Sequence, residues 1–335
     1  MTNAARLVCL ALIASLAACG GGSSAAVPSI PTNLVALDGA NAQGVAGAVV
    51  RVSDTTYNFG KTGSAVVGGV SVPALAQAFS LAKLAKWQLL VVKGMASPLS
   101  VTGIGTLASN KAPCDNNQGT VTVTNSTVGD NSAPTVGDSY SVSFAGCFIK
   151  DTQSTLNGSL TMGIVSFTGN PLTDVSWSMG ANFKFTNLSS TGVNGASTLS
   201  GGYSFTLTTG DSITYNGIIQ SDSFTETRGK LVEGLRKLAV NYSVDSANQE
   251  YTLSLHGLYG STDLNGAVNF DSETPFDGIG KDWPNKGKLK VSGAGNTSVT
   301  LLTVSNNSVQ LGVDSTGDGT ADTTLSVNWV SLVTS

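Results

Sequence analysis

From residue 115 to 331 the chain alternates apolar and polar residues almost one by one, and a period of two leaves few choices of fold. Tyr140, Val142 and Phe144 alternate with Ser141 and Ser143. Val175, Trp177, Met179, Ala181, Phe183 and Phe185 keep one face, as do Leu199, Tyr203, Phe205 and Leu207. Leu238, Val240, Tyr242 and Val244 repeat the pattern, followed by Tyr251, Leu253 and Leu255, then Leu264, Val268 and Phe270. Val309, Leu311 and Val313 are spaced to pair with Leu325, Val327 and Trp329 across a short turn. Successive side chains of a strand point to opposite faces, so each run predicts a strand with one buried and one wet face. Turn signals at Asn157-Gly158, Thr209-Gly210-Asp211, Gly260-Ser261 and Asp318-Gly319 separate the runs. The reading is an antiparallel meander of about a dozen strands.

A sheet that wide with one apolar face must curl, because strand twist accumulates and the apolar face needs cover. The cover is expected from the preceding residues. Asp38 can cap a helix in which Ala42, Val45, Ala46, Val49 and Val50 recur at helical spacing, although Gly44 and Gly47 weaken it. A second helix is expected from Pro73 to about residue 92, with Leu75, Ala78, Phe79, Ala82 and Ala85 on one face and Gln77, Ser80, Lys83 and Lys86 on the other. The predicted fold is therefore mainly β with a small helical N-terminal part. It is a wide, curved antiparallel meander, half-barrel or barrel-like, packed on one or two helices. A membrane-spanning β-barrel would show the same alternation, but clear aromatic girdles are missing.

Arg6, the apolar run Leu7 to Leu16, and the box Leu16-Ala17-Ala18-Cys19 followed by Gly20 resemble a bacterial lipoprotein signal. The apolar run is too short for a transmembrane helix, which needs about 20 such residues. The resemblance implies cleavage before Cys19, a lipid on that residue, and membrane attachment through it. Glycine rather than aspartate after the cysteine leans toward the outer membrane, with the domain facing the periplasm or the cell surface. The expected organisation is a signal over 1–18, a lipidated cysteine and flexible tether over 19–31, a helix-containing part over 32–110, and the meander over 111–335. These last two are expected to form one domain. The tail from Pro284 and Gly287 through Gly293, Asp318-Gly319, Asp322 and Trp329 to Leu332 is similar to that of uncharacterised proteobacterial β-rich lipoproteins. Cys114, Gly137-Asp138 and Cys147 add to that likeness, which implies fold and location but no activity.

With Cys9 in the signal and Cys19 lipidated, Cys114 and Cys147 remain, 33 positions apart, in a compartment that permits disulfides. A disulfide is expected. The rival readings are two free thiols or half of a metal site, and zinc lacks ligands, since His256 is the only histidine and neither cysteine has a CxxC partner.

Asp314, Thr316, Asp318, Thr320 and Asp322 stand at alternate positions with Gly319 among them, the spacing with which short loops wrap calcium. Threonine at the third position and Leu325 where a bidentate Glu would sit count against it. The other reading is a hairpin turn whose aspartates stay in water. No cofactor is required, and calcium is the one candidate.

Charged residues make up 11% of the chain and the formal net charge is −4. Without a basic run, nucleic acid is not an expected partner. Ser80-Leu81-Ala82-Lys83 and Lys61-Thr62-Gly63 match fragments of penicillin-recognising motifs, but in the wrong order and without Ser-Asp-Asn. Gly60-Lys61-Thr62 lacks the first glycine of a phosphate loop. His256 is out of phase with Leu253 and Leu255 and belongs on the wet face. Asp271, Glu273, Asp277 and Asp282 form no recognisable acid/base pair in sequence. No catalytic residue is assigned, and the chain reads as a non-enzymatic, lipid-anchored envelope scaffold. The alternatives are a carrier or sensor of a lipid or other apolar ligand between sheet and helices, and an outer-membrane pore. The wet Ser/Thr/Asn face could also meet an envelope polymer.

Overall fold

The computed structural model describes residues 29–51, 108–126, 135–149, 153–169, 174–192, 195–211, 213–280 and 282–334. The expected helix after Pro73, the short motifs at 60–63 and 80–83, and Cys19 lie outside these residues. The described strands are β1 (Ala108–Pro113), β2 (Thr120–Ser126), β3 (Ser139–Ile149), β4 (Ser154–Thr168), β5 (Trp177–Gly192), β6 (Gly195–Thr209) and β7 (Thr214–Arg228). They continue as β8 (Leu231–Asp245), β9 (Glu250–Ser261), β10 (Gly266–Ile279), β11 (Lys286–Ser292), β12 (Ser298–Ser305), β13 (Ser308–Asp314) and β14 (Thr323–Asn328). All belong to one sheet in sequence order, each strand antiparallel to the next. The sheet is open: β1 and β14 are its two edges. Helix α1 covers 42–51, and α2 is Trp329–Thr334.

The strict meander puts alternate connections at opposite ends of the sheet. The β1–β2, β3–β4, β5–β6, β7–β8, β9–β10, β11–β12 and β13–β14 connections share one end, called the disulfide end below. The remaining connections share the far end. Strands β4, β6, β7 and β8 are each 15 residues long, or up to about 50 Å.

Such long strands keep one apolar face only because bulges correct their parity. In β5 the buried residues run Met179, Ala181, Phe183, Phe185 and then switch to Leu188, with Asn187 at φ 48° between them. In β8 they run Glu233, Leu235 and then Leu238, Val240, Tyr242, across Lys237 at φ 50°. Register shifts at matching heights in β3–β4, β4–β5, β5–β6, β6–β7 and β8–β9 form a crease across the sheet. Aligned bulges bend strands and increase twist, which curves the sheet. Asn157-Gly158, expected as a turn, is part of this crease. Gly158 sits inside β4 at φ 99°, where a Cβ would overlap the Asn187 carbonyl. In β10 the register shifts flank Pro275, whose missing N–H cannot join the ladder.

Three other expectations are corrected. Gly260-Ser261 lies within β9, and the turn falls at 262–265, which takes Leu264 out of β10. Val175 precedes β5 and is 61% exposed. Val309 and Leu311 do pair with Val327 and Leu325, but Trp329 ends the strand and opens α2. Its indole, 2% exposed, stacks on Trp283 with centroids 5.3 Å apart and donates from Nε1 to the Ser305 carbonyl at 3.2 Å. Burying so large a ring outweighs one more ladder position at a sheet edge.

The apolar face carries two clusters. The larger lies between strands β6 to β14 and the helices: Ala42, Val45, Ala46, Val49 and Val50 of α1 and Leu332 of α2 join Val240, Leu255, Phe270, Leu289 and Leu301. The expected α1 face is thus the buried one. Asp38 caps the helix as anticipated, accepting from the Ala40 and Asn41 amides at 2.9 and 3.0 Å, while Asn41 Oδ1 accepts from the Asp38 amide at 3.0 Å. The second cluster runs over β2 to β6, with Phe144, Leu160, Phe183 and Leu188 among its members, and Trp177, Tyr203 and Phe205 touch both.

Before α1, residues 30–37 lace across the disulfide end. Glu233 and Leu235 face the core, so Gly234 between them faces the opposite side of the sheet. Ile30, 3% exposed, packs there over Gly234 and its register partner Gly260. A Cβ on Gly260 would strike the Pro31 carbonyl. The chain then bridges β10, with Val35 N–H donating to the Ala267 carbonyl at 3.1 Å and Ala267 N–H to the Asn33 carbonyl at 2.9 Å. It reaches the β11–β12 turn through Ala294 N–H to the Val35 carbonyl and Leu37 N–H to Thr297 Oγ1, both at 2.8 Å.

Candidate functional site

Cys114 follows β1 and Cys147 lies near the end of β3, and the two form a disulfide with Cα atoms 5.3 Å apart. The bridge sits where the β1–β2 turn folds back onto β3. Cys114 N–H donates to the Gly119 carbonyl at 3.3 Å and Phe148 N–H to the Gln118 carbonyl at 3.0 Å. Gly119 must approach the Gly146 carbonyl so closely that any Cβ would overlap it. The disulfide ties β1, which has one neighbour among the described strands, to the interior of the sheet.

At the same end, the β13–β14 connection carries the Asp-rich loop. Asp314, 4% exposed, accepts from Gly317 N–H at 2.7 Å and Gly319 N–H at 2.9 Å. Asp322 Oδ2 accepts from the Ser315 amide and hydroxyl, both at 2.8 Å, and from the Thr316 amide at 3.1 Å. These bonds, the Ser315 hydroxyl foremost, hold the Asp322 carboxyl below its ordinary range. Asp318 accepts from the Thr320 amide at 2.8 Å. Thr316 Oγ1 donates toward Asp314 at 3.4 Å. Asp314, Asp318 and Asp322 thus accept from the loop's own N–H and O–H groups, with Thr316 and Thr320 among the donors. Among the described residues, no group of three or more His, Cys, Asp or Glu side chains is arranged to hold a metal.

A charged cluster that periodicity did not reveal lies on the core face beside the β7–β8 turn. Glu226 and Glu233 are direct cross-strand partners, and Arg228 is two residues beyond Glu226 on the same face. The Arg228 guanidinium donates from Nη2 to Glu233 Oε1, and Tyr259 O–H donates to Glu233 Oε2 at 2.9 Å. Arg228 Nε faces Glu226 Oε1 at 3.6 Å, too far for a hydrogen bond, and neither atom has a hydrogen-bond partner among the described residues. Burial raises the Glu226 carboxyl above its ordinary range, and Glu233 adds to this, while Arg228 opposes it. Burial works against the Arg228 charge, but Glu226 and Glu233 outweigh it and hold the guanidinium protonated. Burial and the Glu233 carboxylate push the Tyr259 phenol well up, so it stays a donor. Arg51, the last described residue of α1, adds its charge to the surroundings of Glu226 and Tyr259. Chemically this is a shared cation between two acids, with the second acid completed by a phenol. It joins β7, β8 and β9 on the side of the sheet that carries Arg51 of α1. The sequence signal was an acidic or basic residue in phase with apolar neighbours: Glu226 and Arg228 follow Phe224, and Glu233 precedes Leu235.

On the wet face, His256 Nδ1 lies 3.3 Å from Asp271 Oδ1, with both side chains more than half exposed. Glu273 pairs with Lys288 at 2.7 Å. Asp277 and Asp282 are engaged through their backbones, Asp277 accepting from Asn285 N–H and Asp282 accepting from Tyr251 O–H. No known protein family, curated protein or solved structure matches this chain.

Proposed function

We propose that this protein is a lipid-anchored component of the cell envelope, most consistent with the outer membrane, that acts as a non-enzymatic structural or binding scaffold. The lipid is carried by Cys19 in the box Leu16-Ala17-Ala18-Cys19. The observation that carries the scaffold reading is how tightly the covered part of the apolar face is packed. Ala42, Ala46 and Val49 of α1, and Val240, Leu289, Val291, Leu301 and Leu311 of the sheet, all have 0% exposure. Residues at zero exposure border neither solvent nor a void that admits a water-sized sphere. An apolar ligand between α1 and β8–β13 would have to displace side chains that already touch one another. The disulfide agrees with an oxidising compartment.

The test is the protein taken from its own membranes. Mass analysis of the N-terminal peptide is expected to place a diacylglycerol thioether on Cys19, and Cys19→Ala is expected to release the chain from the membrane fraction. An unmodified Cys19 overturns the anchor. Native mass spectrometry is expected to give the bare polypeptide plus its anchor, and a stoichiometric second lipid would overturn the scaffold in favour of a carrier.

A further inference from the structure

We propose that the sheet stands with its disulfide end toward the lipid surface and its far end raised away from it. This rests on lipidation at Cys19, and it follows from where the tether is fastened. Residues 30–37 do not trail from the fold. Ile30 is buried over Gly234 and Gly260, and Val35 and Leu37 are hydrogen-bonded to Ala267, Ala294 and Thr297. All of these contacts lie at the disulfide end, where β8 begins, β9 ends, β10 begins and β11 gives way to β12. The linker between the lipid and this fastening is therefore Gly20 to Ser29, ten residues. Fully extended it reaches about 35–40 Å. A Gly/Ser-rich chain of that length averages about 17–20 Å end to end.

Strand length then decides the geometry. The 15 residues of β8 place the far end up to about 50 Å beyond the fastening. Lys230, in the β7–β8 turn, stays within a tether's length of the headgroups, whereas Ala247, in the β8–β9 turn, is held one strand further out. The competing arrangement is the reverse. The far end exposes Val136 and Ile213 in connections and Ile279 at the end of β10, and an apolar rim of that kind would enter a bilayer if the domain lay over on its tether. Acidic residues stand at both ends, Asp211, Asp245 and Glu250 at the far one and Asp263, Asp318 and Asp322 at the disulfide end, so charge does not select the reverse arrangement and the place of the fastening decides.

The experiment uses the full protein purified from membranes, with a click-reactive residue carrying a donor fluorophore at position 230 or 247. It is reconstituted in phosphatidylethanolamine and phosphatidylglycerol vesicles that carry a rhodamine headgroup acceptor. Energy transfer is expected to be at least about twofold greater from position 230 than from 247, given the strand length between them. Equal transfer, or greater transfer from 247, overturns the orientation. Coupling Cys19 of the signal-free chain to a maleimide lipid and repeating the pair separates the two ideas. An unmodified native Cys19 would sink the lipidation, while the coupled protein would still report whether this fastening stands the sheet upright.

Discussion

Replacing Ile30 with Ala tests how firmly the N-terminal segment is fastened, and its cost can be worked from the contacts. The substitution removes three carbon atoms from a side chain that is 3% exposed. At about 0.8 kcal/mol for each buried methylene the transfer loss is about 2.4 kcal/mol, and a cavity over Gly234 and Gly260 raises the total to roughly 2.5–4 kcal/mol. Because residues 30–37 lie across the sheet and not within the ladder of β7 to β9, the loss falls on local detachment of the segment before global unfolding. Local opening should therefore rise roughly 50- to 1000-fold. The assay is amide hydrogen exchange. The Ala267 amide, which donates to the Asn33 carbonyl, and the Leu37 amide, which donates to Thr297 Oγ1, should lose protection by that factor. The Val240 and Tyr242 amides, in mid-β8, should keep theirs. Unchanged protection at Ala267, or a uniform loss across β8 and β9, would refute the separate fastening. Gly260→Ala should produce the same local pattern from the other side of the contact, since its Cβ collides with the Pro31 carbonyl.

Arg228→Met should cost about 2–3 kcal/mol in denaturant unfolding at neutral pH, because it leaves Glu226 and Glu233 facing each other without the guanidinium they share; the figure is kept low because that guanidinium is 36% exposed and Arg51 still adds its charge nearby. Adding Glu226→Gln and Glu233→Gln to that variant should restore most of the loss, and no recovery would mean that the cluster acts by packing alone. Glu226→Gln by itself should stabilise the protein at pH 7. The raised native pKa of Glu226 makes its ionisation unfavourable above that value, so the advantage should fade as pH drops through the native pKa and Glu226 protonates; a variant that is less stable at pH 7 would contradict this. The lowered Asp322 carboxyl works in the opposite direction, contributing stability above the ordinary carboxylate range that is lost as pH falls through its native pKa, and Asp322→Asn should flatten that acid limb. Reduction of Cys114–Cys147 should lower stability by roughly 3–4 kcal/mol on the loop-entropy account, read as a shift in denaturant midpoint, with exchange rising first in β1 and β2. Calcium or chelator should leave the melting temperature unchanged, because Asp314 and Asp322 already accept from backbone N–H groups; a rise with calcium would show that the loop can release them for a cation.

Much of the architecture was legible from local pattern. Alternation in β3, β8 and β9 named the buried residues individually, and the spacing of Ala42, Val45, Ala46, Val49 and Val50, behind an Asp38 cap, named the helix and its buried face. Those signals are local: pleat and helical period are properties of neighbouring residues, and burial of one face follows from them. Asn157-Gly158 was misread because a positive-φ glycine serves a turn and a bulge equally well. Only the register of β4 against β5 tells them apart. Trp329 was misread because the gain of stacking on Trp283 depends on a residue 46 positions away.

By itself, then, the sequence determined that the chain makes antiparallel strands in meander order, that an apolar face runs across them, and which helix covers part of it. It also supplied a cysteine pair and the box around Cys19. The tertiary structure alone decided that the sheet stays open, that bulges crease it, and that Glu226, Arg228, Glu233 and Tyr259 meet on the core face. It alone seated Ile30 on a pair of glycines from different strands. The physical reason is the range of the interactions. Period and capping act within a turn or a few residues. Cross-strand pairing of buried charge and close backbone approach depend on register, and register is settled only when the whole sheet has assembled.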